Sequence, residues 1–181
     1  LVQATAEGRG AGWTRVERDG SSEYLSSERD VFRWPSLTAD GSQLTVLIIS
    51  EERSGRWTTR LDKPGLTQMP IGYAWVAWAP DGRHAAIRTS AEADSIGIRY
   101  VDMLGSSEPT TLFTAESEVL DLLPTSFSPD GRSLLFGVAL ATDQHDVYTV
   151  DVSDPSSARP FLDSDAIEFG ACFSPDGRWV A

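Results

Sequence analysis

Residues 127–136 read FSPDGRSLLF, and that stretch decides the fold. An apolar residue, Phe127, closes one strand. Pro129 presets φ for a turn, Asp130 can accept nearby backbone N–H groups, and Gly131 takes positive φ without steric cost. Alternating apolar residues then open a second strand. The stretch is therefore a hairpin, and it recurs. LTADGSQLTV starts at Leu37, WAPDGRHAAI at Trp78 and FSPDGRWVA at Phe173. The paired turn residues are Asp40 and Gly41, Asp81 and Gly82, Asp130 and Gly131, and Asp176 and Gly177, at spacings of 41, 49 and 46 residues. Self-similarity at such a period is the mark of a repeat architecture. The first copy has Ala39 where the others have Pro, so its turn is the less rigid. These Asp residues are read as turn formers, not catalytic carboxylates.

Outward from each hairpin lie two more strand-like runs. In the second repeat they are IGIRYVD (Ile96 to Asp102) and PTTLFT (Pro109 to Thr114). In the third they are HDVYTVDV (His145 to Val152) and ARPFLD (Ala158 to Asp163). LGSSEP, ATDQ and SDPSS separate them as breakers. RWTTRL and GLTQMP fill the same roles in the first repeat. LVQAT, WTRVERDG and SEYLSS read as the closing strands of an earlier unit. No sustained helical period appears. Four strands, A to D, in about 45 residues match one blade of a β-propeller. The expected division is a partial blade over 1–28, blades over 29–70, 71–118 and 119–166, and half a blade over 167–181. The fold class is thus all-β, a propeller of four-stranded antiparallel blades. The chain is read as an incomplete piece of a six- to eight-bladed wheel, the remaining blades belonging to the same parent chain; the alternative is closure with four blades, the terminal strands completing one shared blade. Open strand edges lead to self-association as an expectation.

Composition bounds the function. The 181 residues are 40% hydrophobic and 23% charged, an ordinary globular balance. Fifteen basic against 27 acidic residues give a net charge of −12, which excludes a general nucleic-acid or polybasic membrane-surface role. No apolar run reaches the roughly 20 residues that span a bilayer, so no direct membrane insertion is expected. No signal peptide opens the sequence, and a targeting segment outside it is left open. Asn is absent, so there is no N-glycosylation sequon. The lone cysteine, Cys172, forms no internal disulfide, and its FGACF setting reads as a buried small hydrophobe.

No catalytic, cofactor-binding or metal-ligating set emerges. His84 and His145 open strands B and C of their repeats and lack metal spacing. GRGAG (Gly8 to Gly12) lacks the ending of a phosphate-binding loop, and no nucleophile elbow is present. Trp34, Trp75 and Trp78 fall in A strands, Trp78 at the repeat's core position. Trp57 reads either as packing between blades or as an interface anchor near Arg53 and Arg56.

The motif [FW]-[SA]-P-D-G-R followed by alternating apolar residues resembles the TolB-like, or WD-repeat-like, propeller repeat over nearly the whole chain. ERDGSSEYLSS with FRWPSLTADGSQL, and PTSFSPDGRSLLF through DVYTVDV to PFLDSDAIEFGACFSPDGRWVA, look like propellers fused to bacterial serine/threonine kinases. The resemblance implies strand A at a central channel, the Asp-Gly turns on one rim and the B–C and D–A connections on the other. It also implies an extracytoplasmic or periplasmic location. The function it implies is a non-catalytic binding, sensor or scaffold module of a larger bacterial protein, with a protein or peptide partner and no cofactor. The alternative is the gating propeller of a prolyl-oligopeptidase-type serine peptidase whose catalytic domain lies outside this chain. Two D–A connections carry Glu116, Glu118 and Asp121, and Asp163, Asp165 and Glu168. They read as an acidic arc suited to a basic peptide segment or a cation, or as solvated loops of an acidic chain.

Overall fold

A computed structural model describes the chain except residues 1, 7–10, 25–29, 52, 70–74, 91–94, 116, 143, 163 and 165. Among the described residues every regular element is a strand. The chain divides into two units, residues 1–73 and 74–181.

The first unit holds two antiparallel meanders. One joins β1 (Val2–Ala6), β2 (Ala11–Val16) and β3 (Ser22–Tyr24). The other joins β4 (Phe32–Leu37), β5 (Gln43–Ile48), β6 (Gly55–Arg60) and β7 (Lys63–Gln68) in sequence order. Trp13 of β2 meets Phe32 of β4 at 4.6 Å between ring centroids, above buried Leu44, Val46 and Ile48. Trp57 packs against this core, with the Arg53 guanidinium 5.6 Å from its ring centroid. Of its two sequence readings the packing one describes what is seen.

The second unit repeats the plan twice. β8 (Val76–Trp78), β9 (His84–Ser90), β10 (Ile96–Asp102) and β11 (Thr110–Thr114) form one sheet; β12 (Val119–Phe127), β13 (Ser133–Leu140), β14 (His145–Asp151) and β15 (Asp154–Leu162) form the next. Sequential order with antiparallel pairing is what short turns allow. β13 is buried on both faces, so alternation assigns its side chains to two cores. Leu134, Phe136 and Val138 face Ala77, Ala86, Ile98 and Leu112 of the preceding sheet. Leu135 faces the other way, onto Val147, Ala171, Phe173 and Val180. A fourth hairpin begins there, with Phe173 bridged to Val180 across the Asp176-Gly177 turn. A sheet packed on both faces by its sequence neighbours is the stacking of successive blades.

Three expectations need correction. Cys172 is exposed, not buried. Its neighbours Ala171 and Phe173 take the inward face, and strand alternation turns the thiol out. SDPSS is a breaker only at its start: the chain turns at Val152 and Ser153 and β15 begins at Asp154, because Asp151 Oδ1 accepts both the N–H (2.8 Å) and O–H (2.6 Å) of Ser153 and closes a tight turn. Pro155 and Pro160 are tolerated because β15 is an edge strand. Trp75 lies just before β8. The core position of Trp78 is buried at Phe127, half-buried at Trp78 and exposed at Leu37.

Candidate functional site

The carboxylates come first, because they dominate the charge. Those in the A–B turns are committed to structure. Asp40 Oδ1 accepts the Thr38 hydroxyl at 2.6 Å and the Ser42 N–H at 3.0 Å. Asp130 accepts from Ser128 (2.6 Å) and the Arg132 N–H (3.1 Å), and Asp176 from Ser174 (2.7 Å) and the Arg178 N–H (3.1 Å). The same hydroxyls accept the N–H that reopens the next strand, from Gln43 at 3.1 Å, Ser133 at 2.9 Å and Trp179 at 3.0 Å. Each turn is thus latched by a hydroxyl between a carboxylate and a strand N–H, while Gly41, Gly131 and Gly177 take φ of +68°, +73° and +68°.

The second repeat has Ala79 where the others have that hydroxyl. There Asp81 Oδ1 takes the His84 N–H directly at 2.9 Å, and Oδ2 meets His84 Nδ1 at 2.5 Å. His84 also stacks on Tyr100, 5.0 Å between centroids. Its place in the fold is a substitute latch, which the sequence signalled only as the missing hydroxyl.

These donors favour the ionised acids. Asp40 is held at about 2, chiefly by the Thr38 hydroxyl. Asp130 and Asp176 are held below the ordinary range, chiefly by Ser128 and Ser174. A depressed folded pKa contributes stability that is full above the unfolded value near 3.8 and is lost as pH falls toward about 2. The urea midpoint should therefore hold from pH 7 to 5 and drop below pH 4. Asp40→Asn should flatten part of that drop; an unchanged slope would refute the latch.

The six carboxylates of the proposed arc have different fates. Glu116, Asp163 and Asp165 lie outside the described residues. Glu118 is exposed ahead of β12. Asp121, on β12, accepts from Arg88 Nε of β9 at 2.9 Å. Glu168 accepts the Ser164 hydroxyl at 2.7 Å through Oε1, while Oε2 is buried with no hydrogen-bond donor among the described residues.

Charge is unevenly spread. Residues 1–73 hold nine basic and ten acidic side chains, whereas residues 74–181 hold six and seventeen. Several of the second unit's arginines are also engaged. Arg83 clamps Asp102 through two bonds of 3.1 and 2.6 Å, and Arg88 holds Asp121. The Asp102 side chain is inaccessible and also accepts the N–H groups of Leu104 and Ser106, so it pins the β10–β11 turn.

Among the described residues no group of three His, Cys, Asp or Glu could hold a metal ion. No helix there is long and apolar enough to cross a membrane. What stands is a series of antiparallel meanders, three of them four-stranded, with latched A–B turns, and solved structures of the same build are known. The fold is that of a TolB-like β-propeller. TolB from Acinetobacter baumannii superposes with a TM-score of 0.70 at 16% identity, over 96% of this chain and 44% of that one. The nidogen/laminin complex gives 0.65 at 15% identity, over 94% and 65%. An oligogalacturonate lyase from Vibrio parahaemolyticus gives 0.61 at 14% identity, over 94% and 50%. The chain spans about half the length of these TolB-like and related propellers. No family model and no curated protein matches it. At such identities the likeness establishes the fold, and a binding protein and an enzyme share that fold.

Proposed function

We propose that this chain is a non-catalytic binding module that docks a basic segment of a partner protein on its second unit. The observation that carries the reading is the charge imbalance of residues 74–181, seventeen acidic to six basic. Such a field steers and orients a cationic partner. Glu116, Glu118, Asp163, Asp165 and Glu168 supply the part of it between strands D and A, whereas Asp121 is on β12 and held by Arg88. The nidogen structure, solved in complex with laminin, supports a protein as the kind of partner.

The test is polarisation of a fluorescein-labelled Lys/Arg-rich peptide. Binding should weaken at least tenfold between 25 and 250 mM salt, as screening shortens the reach of exposed charge. Glu116→Lys with Glu118→Lys should weaken it about tenfold, whereas Glu17→Lys with Glu23→Lys in the first unit should not. Equal effects of the two pairs would reduce the interaction to net charge and overturn the reading.

A further inference from the structure

Two residues of the first full repeat stand apart from their counterparts, one in backbone conformation and one in side-chain chemistry. Six places before each turn Asp stand Trp34, Trp75, Pro124 and Gly170. Gly170 has φ of +74°, the left-handed region that glycine favours, whereas Trp75 and Pro124 do not take positive φ. Trp34 takes φ of +45°, alone among the described non-glycine residues. It also precedes Pro35, which normally drives its predecessor to extended backbone.

The second departure faces the first. Seven places after each turn Asp, the ladder pairs Leu47 with Arg56, Arg88 with Ile98 and Gly137 with Val147. Ile98 and Val147 are core residues, 0% and 2% exposed, and Arg56 is just as buried at 1%. A guanidinium therefore stands where the repeat places an aliphatic side chain. The register of β4 on β5 shifts between Arg33 and Ser36, and Arg56 Nη1 donates to the Trp34 carbonyl at 3.0 Å. Its guanidinium carbon lies 6.0 Å from the Trp34 ring centroid. Burial lowers the Arg56 pKa to about 10, which leaves it charged at neutral pH.

Strained backbone and a buried cation both cost stability. What they hold in place is a tryptophan that is 46% exposed on an edge strand. Local rules broken together mark a functional site more often than a fold requirement. Beside Trp34, Arg33 is exposed, donates only to the Phe32 carbonyl at 3.3 Å, and has no carboxylate partner among the described residues. Val31, just before the strand, and Leu37, at its end, are also exposed. Pro35 offers no N–H, so side chains rather than ladder bonds must make the contact.

We propose that Trp34 and Arg33 form a docking site for an extended partner segment that presents a large apolar side chain next to a carboxylate. Trp34 takes the apolar side chain as an interface anchor, and Arg33 takes the carboxylate in a charge-assisted hydrogen bond. The site lies in the first unit and stands whether or not the second unit docks a basic segment.

The test uses the full chain and three capped Gly/Ser decapeptides carrying Phe-Asp, Phe-Lys or Ser-Asp at their centre, read by 1H–15N NMR. The Phe-Asp peptide should shift the Trp34 indole N–H at least fivefold more than the other two. Arg33→Glu should transfer the preference to Phe-Lys. Trp34→Gly should abolish the Phe-Asp peptide's shift of the Arg33 backbone N–H while melting no lower than the parent, since glycine suits that backbone. Equal shifts from all three peptides, no shift at Trp34, or a Trp34→Gly chain that melts several degrees lower would overturn the proposal. The last result would make the ring a packing element.

Discussion

Phe136→Ala is expected to destabilise the second unit by about 3–5 kcal/mol. Phe136 is wholly buried in the middle of β13. Its ring lies 5.1 Å from Phe113 on the preceding sheet and 5.7 Å from Tyr148 on its own, so truncation opens a cavity between two sheets. Partial collapse cannot close it, because Leu134 and Val138 on the same face are already packed. A typical domain has only about 5–15 kcal/mol in total, so the variant should sit near its unfolding threshold. Leu120→Ala, on neighbouring β12 but 62% exposed, should stay within about 0.5 kcal/mol of the parent. Urea denaturation followed by near-ultraviolet circular dichroism checks both. A cost below about 1 kcal/mol for Phe136→Ala would mean that the two sheets do not share a core.

Gly97→Ala is the second large effect, at about 1–3 kcal/mol, by overpacking. Gly97 lies on β10 against Thr114 of β11. A Cβ there would stand 2.9 Å from the Phe113 carbonyl oxygen, and a strand backbone cannot move aside as a side chain can. Gly137 is the control. Its Cβ would meet Leu123 Cδ1 at 3.4 Å, a side-chain tip able to yield. Gly137→Ala should be neutral, or stabilising by up to about 1 kcal/mol through the unfolded chain's lost freedom. The inverse order of the two melting temperatures would refute the pairing of β10 with β11.

Much of this was legible in the sequence where the chemistry is local. A turn needs a side-chain acceptor and a glycine a few residues apart, and Asp40-Gly41 through Asp176-Gly177 show both in the one-dimensional string. Period-two alternation likewise marked IGIRYVD and HDVYTVDV. What escaped depends on partners distant along the chain. Asp121 carries a visible charge, but its pairing with Arg88 needs β9 beside β12. Glu168 looks like a loop carboxylate until its Oε2 is seen to be buried. His84 reads as a strand-end residue until the missing hydroxyl at Ala79 is noticed. FGACF is apolar throughout, and only the pairing of Phe173 with Val180 decides which of its side chains turns inward. In the sequence Arg56 is simply the neighbour of Trp57, whereas the ladder places it in a slot that the other sheets give to Ile98 and Val147.

That slot also bears on how a chain of near-copies assembles without error. Tandem modules of similar sequence are prone to exchange strands while folding, because each edge offers the same apolar pattern to every candidate. The third strand of the first module cannot be traded for that of its neighbours. Carried into either of the other sheets, Arg56 would place its guanidinium in a slot that those sheets fill with Ile98 or Val147. An aliphatic strand brought into its place would remove the hydrogen bond that Arg56 donates to the Trp34 carbonyl. One misfit side chain thereby acts as a key that enforces correct order among modules.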